Sequence, residues 1–291
     1  MAEPPDLEQA RVVVGGLGLM GGSLALALHG RCRRLAAWDT DPGAVEMARR
    51  MAVADQVSID PLEVVPQADL VILAAPVRAI IEGLRQLPAM HAGEAVVLDL
   101  GSTKAEIVLA METLPTRFDP IGGHPMCGKE TSGLESAEKG LFHGARFALT
   151  PLSRTTERAR RLSVDLVRAV GARPLWLDAE THDAWVAATS HLPFLLAAAA
   201  VLSTPEEAGR LIGPGFVSTT RLAASSPRMM LDILRTNRVP VVEALRRTRQ
   251  ELDALEGLLF READSELTSR LAEAAARRQR LLQRADGGPA R

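Results

Sequence analysis

A glycine-rich turn near the N-terminus restricts this chain to few folds. Gly16-Leu17-Gly18-Leu19-Met20-Gly21 follows the short apolar run 11–15 and opens a segment, 20–28, that is typical of a helix. This pattern between a buried strand and a helix is typical of a dinucleotide-binding turn, because glycines let the backbone approach a pyrophosphate and the N-terminus of the helix attracts it. We therefore predict that a dinucleotide contacts Gly16, Gly18, Leu19, Met20 and Gly21.

Segments typical of strands and helices alternate along the first part of the chain. Apolar runs typical of buried strands occur at 35–38, 70–74, 95–98, 147–150 and 174–177. Such alternation predicts a parallel sheet with helices on both faces. After residue 178 no strand signal appears. We predict an α/β, Rossmann-type dinucleotide-binding domain over residues 10–177 and an all-α substrate and dimerisation domain over residues 178–285.

Leucines in the last third of the chain recur at helical spacing, at positions 245, 252, 255, 258 and 259. They exceed what one small helical domain needs to cover its own core. Long amphipathic helices of this kind commonly pair two copies of a chain. The sequence therefore predicts a homodimer.

Charge and composition exclude several classes of protein. The net charge is −2, with acids and bases interspersed, which gives no electrostatic case for nucleic acid. Two cysteines cannot form a disulfide framework, and the acidic N-terminus is unlike a signal peptide. The apolar segment 186–202 is interrupted by Ser190, His191 and Pro193, which favours a buried helix over a membrane span. We therefore expect a soluble, cytoplasmic protein.

The coenzyme is predicted from the end of the second strand. Asp39 stands where a carboxylate binds the ribose hydroxyls of NAD, and its neighbours Thr40 and Asp41 offer no cation for a 2′-phosphate. The sequence thus favours NAD over NADP. Asp41 is interpreted as the cap of the helix that begins at Pro42. The turn that ends at Pro76 is either a coenzyme contact or a plain strand-to-helix turn.

His124 is the candidate general base. It is flanked by Gly122, Gly123 and Pro125, which predicts a loop, and a histidine in a coenzyme cleft can exchange a proton near neutral pH.

Cys127 is interpreted as a small packed residue, because nothing else in the chain suggests acyl chemistry. No metal is predicted, since the spacing of histidines and cysteines is unlike a zinc site. Glu130 either hydrogen-bonds within the site or caps the following turn.

Asp99-Leu100-Gly101-Ser102-Thr103-Lys104 follows a strand, at the edge where open parallel sheets bind ligands. Ser102 is either a helix cap or a hydrogen-bonding partner of a catalytic group or substrate. Lys104 is expected to be a solvated helix residue, with a role in the site as the alternative.

The helical half contributes two further candidates. His191 interrupts an apolar helix, and such a polar residue costs stability unless it is satisfied or used, so it is a candidate for the substrate site. Arg221, on another apolar helix, is either a surface residue or the partner of a substrate carboxylate. His182 and Asp183 are interpreted as packing or capping residues.

The order of these motifs resembles the prephenate/arogenate dehydrogenase family, from about residue 11 to about residue 282. The resemblance rests on Gly16-Leu17-Gly18-Leu19-Met20-Gly21-Gly22-Ser23, Asp99-Leu100-Gly101-Ser102-Thr103-Lys104, His124-Pro125-Met126-Cys127-Gly128, Thr189-Ser190-His191-Leu192-Pro193, and Thr220-Arg221-Leu222-Ala223 followed by Ser226-Pro227. It implies an oxidative decarboxylation in which hydride leaves C4 of a cyclohexadienol for NAD(P)+, carbon dioxide is lost and an aromatic ring forms. Prephenate gives 4-hydroxyphenylpyruvate, and arogenate gives tyrosine.

The resemblance also implies roles for single residues. His124 would accept the proton of the substrate 4-hydroxyl, and Ser102 would orient His124 and the substrate. Arg221 would bind a substrate carboxylate, and His191 would line the substrate pocket. The chain departs from many relatives at Met230, where they carry an aromatic residue after Ser-Asp-Pro-x-Met, and the choice between prephenate, arogenate and an amino-substituted analogue stays open.

Two other functions are alternatives. A hydroxyacid or imine reductase of similar architecture would use a lysine on the long interdomain helix, which here carries His182 and His191 and no lysine. A nucleotide-sensing protein without catalysis would not need His124, Ser102 and Arg221 together. The sequence favours the dehydrogenase over both.

Overall fold

A single sheet forms the centre of the part of the chain that the structure, a computed structural model, describes: residues 6–129 and 131–285. Its strands are β1 Arg11–Gly15, β2 Arg34–Trp38, β3 Gln56–Ser58, β4 Leu70–Leu73, β5 Ala95–Asp99, β6 Phe118–Pro125, β7 Arg146–Pro151 and β8 Arg173–Trp176. They lie in the order β3-β2-β1-β4-β5-β6-β7-β8.

The central strands are apolar because helices cover both of their faces. In β4 all four residues are buried. Successive side chains point to opposite faces, so Leu70 and Ile72 belong to one hydrophobic cluster while Val71 and Leu73 belong to the other. Apolar runs without alternation therefore identified β1, β2, β4, β5, β7 and β8 correctly, whereas β3 and β6 were not predicted.

The strand order reverses at β1, which pairs in parallel with β2 on one side and β4 on the other. In open α/β sheets the crevice at such a point, beyond the carboxyl ends of the strands, is where ligands bind. The predicted Rossmann-type fold is confirmed, and the glycine turn after Gly15 opens at this crevice.

The prediction of a wholly parallel sheet is wrong at one edge. β6 is parallel to β5 but antiparallel to β7, and β8 is parallel to β7. A parallel pair needs a long crossover connection. The described residues between β6 and β7 instead contain a 3-10 turn, Leu134–Ser136, so the chain returns directly beside β6 in the opposite direction.

The helices are α1 Leu19–Leu28, α2 Pro42–Arg50, α3 Val77–Met90, α4 Ala105–Glu112, α5 Glu157–Ala169, α6 Ala179–Val186, α7 Leu192–Ser203, α8 Pro214–Thr220, α9 Pro227–Thr236, α10 Arg238–Phe260 and α11 Asp264–Ala285. Two further segments of this region, Glu206–Leu211 and Arg221–Ala224, are 3-10 helices. The described residues beyond 178 contain no strand, as predicted.

The apolar segment 179–203 is one continuous helical stretch whose middle, Ala187–His191, is π-helical. Pro193 follows at once and has no N–H for a regular helical bond, which accounts for an irregular turn at this point. Among the described helices this stretch alone is long and apolar enough to cross a membrane by length and composition, with a mean hydropathy of 1.7.

The prediction that this stretch is a buried helix is only partly right. Just 22% of its apolar window is buried within the single chain, and Leu196, Val201 and Leu202 are exposed. The buried residues include His182, Asp183 and His191. An apolar composition predicts that a helix is buried, but it does not tell whether the residues that bury it belong to the same chain.

The chain divides into two compact units, Met1–Val241 and Val242–Arg291. The second unit contains α11 and the greater part of α10. Within it Arg270 joins the two helices, since its Nη2 lies 2.5 Å from Oε2 of Glu251. Its leucines Leu252, Leu259 and Leu271 are all exposed in the single chain.

Candidate active site

The glycine turn between β1 and α1 fits a dinucleotide. Gly16 has φ +96°, and a Cβ there would lie 2.4 Å from the carbonyl oxygen of Ala74. A Cβ on Gly21 would lie 1.8 Å from the oxygen of Gly16, whereas one on Gly18 would meet nothing within 4 Å. Gly18 is also the N-cap of α1 and supplies no side-chain cap. Open space therefore faces uncapped helix amides, as a pyrophosphate requires.

Asp39 is held beside this turn. Its Oδ2 accepts a hydrogen bond of 2.6 Å from the backbone N–H of Leu17, and its Oδ1 accepts one of 2.9 Å from Asp41. A carboxylate fixed at the end of the second strand suits the adenosine ribose of NAD. Asp41 caps α2 by accepting from Gly43, at 2.9 Å, as predicted.

The turn before α3 borders the glycine turn. The backbone N–H of Ala74 donates to Gly15 at 2.7 Å, and Pro76 is the exposed N-cap of the helix. This placement leaves a coenzyme contact at Pro76 as a prediction.

Lys104 is not the solvated residue that the sequence predicted. It is fully buried, and its ammonium donates to Oδ2 of Asp99, which is also fully buried. Burial lowers the pKa of Lys104, and the attraction of Asp99 opposes that shift. The same carboxylate accepts from the backbone of Gly101 at 2.7 Å and of Gly123 at 3.0 Å. The ion pair thus fastens the loop after β5 to the neighbouring strand β6.

His124 lies in β6 and not in a loop, which corrects the prediction drawn from its glycine and proline neighbours. It pairs with Ala148 of β7, one residue before the strand ends at Pro125. β6 runs parallel to β5, so His124 stands at the same edge of the sheet as the end of β1 and the glycine turn. A strand holds the imidazole more firmly than a loop would.

The ring of His124 is hydrogen-bonded to a second histidine. Its Nδ1 lies 2.9 Å from Nε2 of His182, on α6, and the two rings meet edge to face with centroids 5.1 Å apart. The pKa of His124 lies well below its usual range, mainly because of burial and further because of His182, Lys104 and His191. His124 is therefore neutral near pH 7.

Asp183 completes this chain of contacts. Its Oδ1 lies 2.8 Å from Nδ1 of His182 and accepts from the backbone N–H of Lys104 at 2.7 Å. Its Oδ2 accepts from Ala105 at 2.9 Å. The predicted capping role of Asp183 is confirmed, although the helix that it caps is α4 and not its own. The interpretation of His182 as a packing residue missed its bond to His124.

His191 lies near the same group of residues. It is 2% exposed, and its Nδ1 lies 3.1 Å from Nδ2 of Asn237, which also donates to the backbone oxygen of Asp183 at 2.8 Å. Burial lowers the pKa of His191 to about 4. Asn237 was missed by the sequence analysis, because one asparagine between two helices carries no recognisable signal.

The remaining candidates are placed as follows. Ser102 is half-buried in the loop before α4, and within the described residues its hydroxyl makes no hydrogen bond to His124. Arg221 is exposed at the start of its 3-10 turn. Glu130 lies outside the described residues. The thiol of Cys127 packs against the core, and burial raises its pKa to about 11, in agreement with its predicted packing role.

Comparison with known proteins identifies relatives over most of the chain. A model for the nucleotide-binding domain of prephenate dehydrogenase matches residues 23–175, and one for the dimerization domain of prephenate dehydrogenase matches residues 178–273. The prephenate dehydrogenase of Bacillus subtilis (strain 168) is 32% identical over 256 residues, which is 84% of this chain and 68% of the relative.

Two solved structures are also similar. Prephenate dehydrogenase from A. aeolicus, in complex with hydroxyphenyl propionate and NAD+, has a TM-score of 0.85 and 32% identity, and the match covers 93% of this chain and 97% of that one. Synechocystis arogenate dehydrogenase has a TM-score of 0.81 and 27% identity, and covers 93% of this chain and 99% of its own.

Proposed function

The chain belongs to the prephenate dehydrogenase family, and from that membership we propose that it converts prephenate to 4-hydroxyphenylpyruvate by oxidative decarboxylation. It is an NAD-dependent dehydrogenase, like the relatives that it matches. The observation that carries the proposal is that a neutral His124 lies at the carboxyl ends of the parallel strands, where the glycine turn also lies. Its Nε2 has no hydrogen-bond partner within the described residues and is thus available to a substrate hydroxyl.

The proposed chemistry needs a base at one atom of the substrate. Bound NAD+ supplies the acceptor for the hydride that leaves C4. As that hydride departs, the C4–O bond gains carbonyl character and the hydroxyl becomes acidic. His124 accepts the hydroxyl proton, which stabilises the transition state because a neutral imidazole is ready to take it. Loss of carbon dioxide then completes the aromatic ring, and the phenolate oxygen that forms takes the proton back from His124.

Other residues of the chain hold the reactants in this proposal. Gly18 and the first amides of α1 receive the pyrophosphate, and Asp39 receives the ribose hydroxyls. Arg221 binds a substrate carboxylate, and His191 lines the substrate pocket. Ser102, in the loop that the Asp99–Lys104 pair fixes, faces the substrate hydroxyl.

Arogenate is the second candidate substrate, since a relative with 27% identity over nearly its whole length is an arogenate dehydrogenase. The two substrates differ at the side chain, far from the C4 hydroxyl, so His124 serves either. Met230 is 7% exposed, and the resemblance to relatives that carry an aromatic residue at this place makes it a candidate for shaping the side-chain end of the pocket. Membership of the family excludes the hydroxyacid reductase and the non-catalytic sensor as leading alternatives.

The proposal extends to assembly and location. A match to a dimerization domain over residues 178–273, together with exposed apolar residues on α7, α10 and α11, supports a homodimer. The relatives are prephenate dehydrogenases, which supports a role in the formation of tyrosine, and we place that role in the cytoplasm.

Side-by-side assays test the proposal. Prephenate and arogenate are each supplied with NAD+ and with NADP+, and reduced coenzyme is followed by its ultraviolet absorbance. We expect the highest catalytic efficiency with prephenate and NAD+. Higher efficiency with arogenate would overturn the substrate assignment, and no reduction with either substrate by a folded, NAD+-binding protein would overturn the reaction itself.

A further inference from the structure

A line of three side chains leads from the N-terminus of α4 to the proposed base. Asp183 bonds to His182 at 2.8 Å, and His182 bonds to His124 at 2.9 Å. His182 and Asp183 are 1% and 2% exposed, so water does not compete for these bonds. The direction in which each proton points is therefore set by the protein alone.

The direction follows from Asp183. Its carboxylate already accepts two backbone N–H groups at the start of α4, where the helix dipole also favours negative charge. As an acceptor it requires a proton on Nδ1 of His182. With its proton on Nδ1, the His182 ring offers a lone pair at Nε2, so the proton between the two rings is carried by Nδ1 of His124. The remaining nitrogen of His124, Nε2, is left unprotonated.

We propose that His182 and Asp183 are positioning residues that fix His124 in its Nδ1–H tautomer and so present Nε2 as the base. When Nε2 takes the hydroxyl proton, the positive charge that forms on His124 is met by the lone pair of His182 and, beyond it, by the carboxylate of Asp183. The arrangement has the logic of a Ser-His-Asp triad with a second histidine inserted, since a buried carboxylate sets the tautomer of the catalytic ring. The proposal rests on the proposed function of His124.

Asp183→Asn changes the shape of the side chain little and can reverse the direction of the hydrogen bonds that run from residue 183 through His182 to His124. With the amide oxygen in the place of Oδ2, it still accepts from the backbone N–H of Ala105, while the N–H₂ in the place of Oδ1 donates to Nδ1 of His182 and gives up the bond from the backbone N–H of Lys104. The proton of His182 moves to Nε2, which donates to His124, and the proton of His124 moves to its own Nε2. The lone pair that the reaction needs is lost. We expect turnover to fall by about 10²–10⁴-fold, the range for a positioned base or its orienting carboxylate, with little change in substrate KM or NAD+ affinity.

The decisive readout is the ¹⁵N spectrum of the six histidine side chains in the free protein, which needs no catalysis. His124→Asn and His182→Phe assign the two relevant rings. In the native protein near pH 7.5 we expect the proton of both His124 and His182 on Nδ1, and in Asp183→Asn on Nε2. A native His124 protonated at Nε2 would overturn the proposal.

Kinetics provide the second arm. His182→Phe should lower turnover, whereas His91→Gln, which removes a buried histidine bonded to the carbonyl of Ala68 at 2.8 Å, should not. Native turnover in folded Asp183→Asn would also overturn the proposal. The ¹⁵N spectra can show the expected tautomers while His124→Asn keeps full activity. In that case the positioning of His124 by His182 and Asp183 is confirmed, and the proposed function of His124 as the base is wrong. The two outcomes are therefore distinguishable.

Discussion

The carboxylate of Asp39 accepts a 2.6 Å hydrogen bond from the backbone N–H of Leu17, and this bond joins the end of β2 to the glycine turn. The end of the second strand and the phosphate-binding turn are thus held at a fixed separation. A coenzyme that spans them meets a rigid carboxylate, which accepts hydrogen bonds from ribose hydroxyls and repels a 2′-phosphate.

We therefore predict that NAD+ is preferred over NADP+. Asp39→Ser combined with Thr40→Arg should move the preference toward NADP+, because it removes the repulsion and adds a cation. Asp41→Asn is the matched control, since Asp41 caps α2 by accepting from Gly43 at 2.9 Å. Catalytic efficiency with each coenzyme is the measurement. Equal or better use of NADP+ by the native protein would mean that Asp39 does not meet the ribose.

His124→Asn should slow turnover by about 10²–10⁴-fold, the usual contribution of a positioned acid–base group, and leave NAD+ affinity intact. Asparagine has no titratable nitrogen to take the hydroxyl proton. Steady-state turnover and coenzyme fluorescence titration separate the two effects. A variant that retains near-native turnover would remove His124 from the mechanism.

The buried histidines predict a loss of stability in acid. Burial lowers the pKa of His191 to about 4, while an unfolded histidine titrates near 6.5. The unfolded chain therefore binds the extra proton first as the pH falls, and the free energy of unfolding decreases from about pH 6.5 down to pH 4, by about 3 kcal/mol for this residue. His124 acts in the same direction.

His191→Gln tests this prediction by denaturant unfolding at several pH values. Glutamine does not titrate, so the variant should lose less stability than the native protein between pH 6.5 and pH 4. Equal slopes for the two proteins would contradict the prediction.

The lowered pKa of His124 also predicts that kcat/KM holds its neutral-pH value below pH 6.5 before it declines.

Arg221→Ala should mainly weaken substrate binding. A charge-assisted bond to a carboxylate contributes roughly 1.5–3 kcal/mol, or about tenfold to over a hundredfold in affinity. Arg210→Ala, at an exposed arginine on the preceding 3-10 segment, should leave the substrate KM unchanged. If Arg221→Ala is folded and has the native KM, Arg221 does not hold the substrate.

Leu252→Glu with Leu259→Glu should separate a dimer into monomers. Both leucines are more than half exposed in the single chain, and burying a charge at an apolar interface is costly. Leu62→Glu, at an equally exposed leucine of the nucleotide-binding part, is the control. Light scattering at micromolar concentration gives the mass. A native monomer would defeat the prediction of a homodimer.

Local signals sufficed for the coenzyme half of the site. A glycine turn and an acid at the end of a strand act through backbone shape and position, so Gly18 and Asp39 are recognisable from sequence order alone. Lys104 was wrongly predicted to be solvated, because its environment depends on packing between distant parts of the chain. Its partner Asp99 is near in sequence, but its complete burial depends on how β6 packs beside the loop, which no local pattern encodes.

The spacing of His182 and His191 in the sequence does not predict that they lie near the same residues, because a π-helical turn ends at His191. His191 lies nine positions after His182, and at about 3.6 residues per turn the two would point to opposite sides of a regular helix. The π-helical residues 187–191 change that phase, and Asn237 contacts both His191 and the backbone of Asp183. The link from His182 to His124 spans 58 positions of sequence, so only the folded chain reveals it.

The central claim is that this chain couples hydride removal from prephenate to the loss of its ring carboxylate. One measurement tests it most directly: NADH, carbon dioxide and 4-hydroxyphenylpyruvate are quantified together after incubation of the protein with prephenate and NAD+. We predict equal amounts of all three, and none of them with His124→Asn on the same timescale. NADH without carbon dioxide, or no NADH from a folded protein that binds NAD+, would contradict the account.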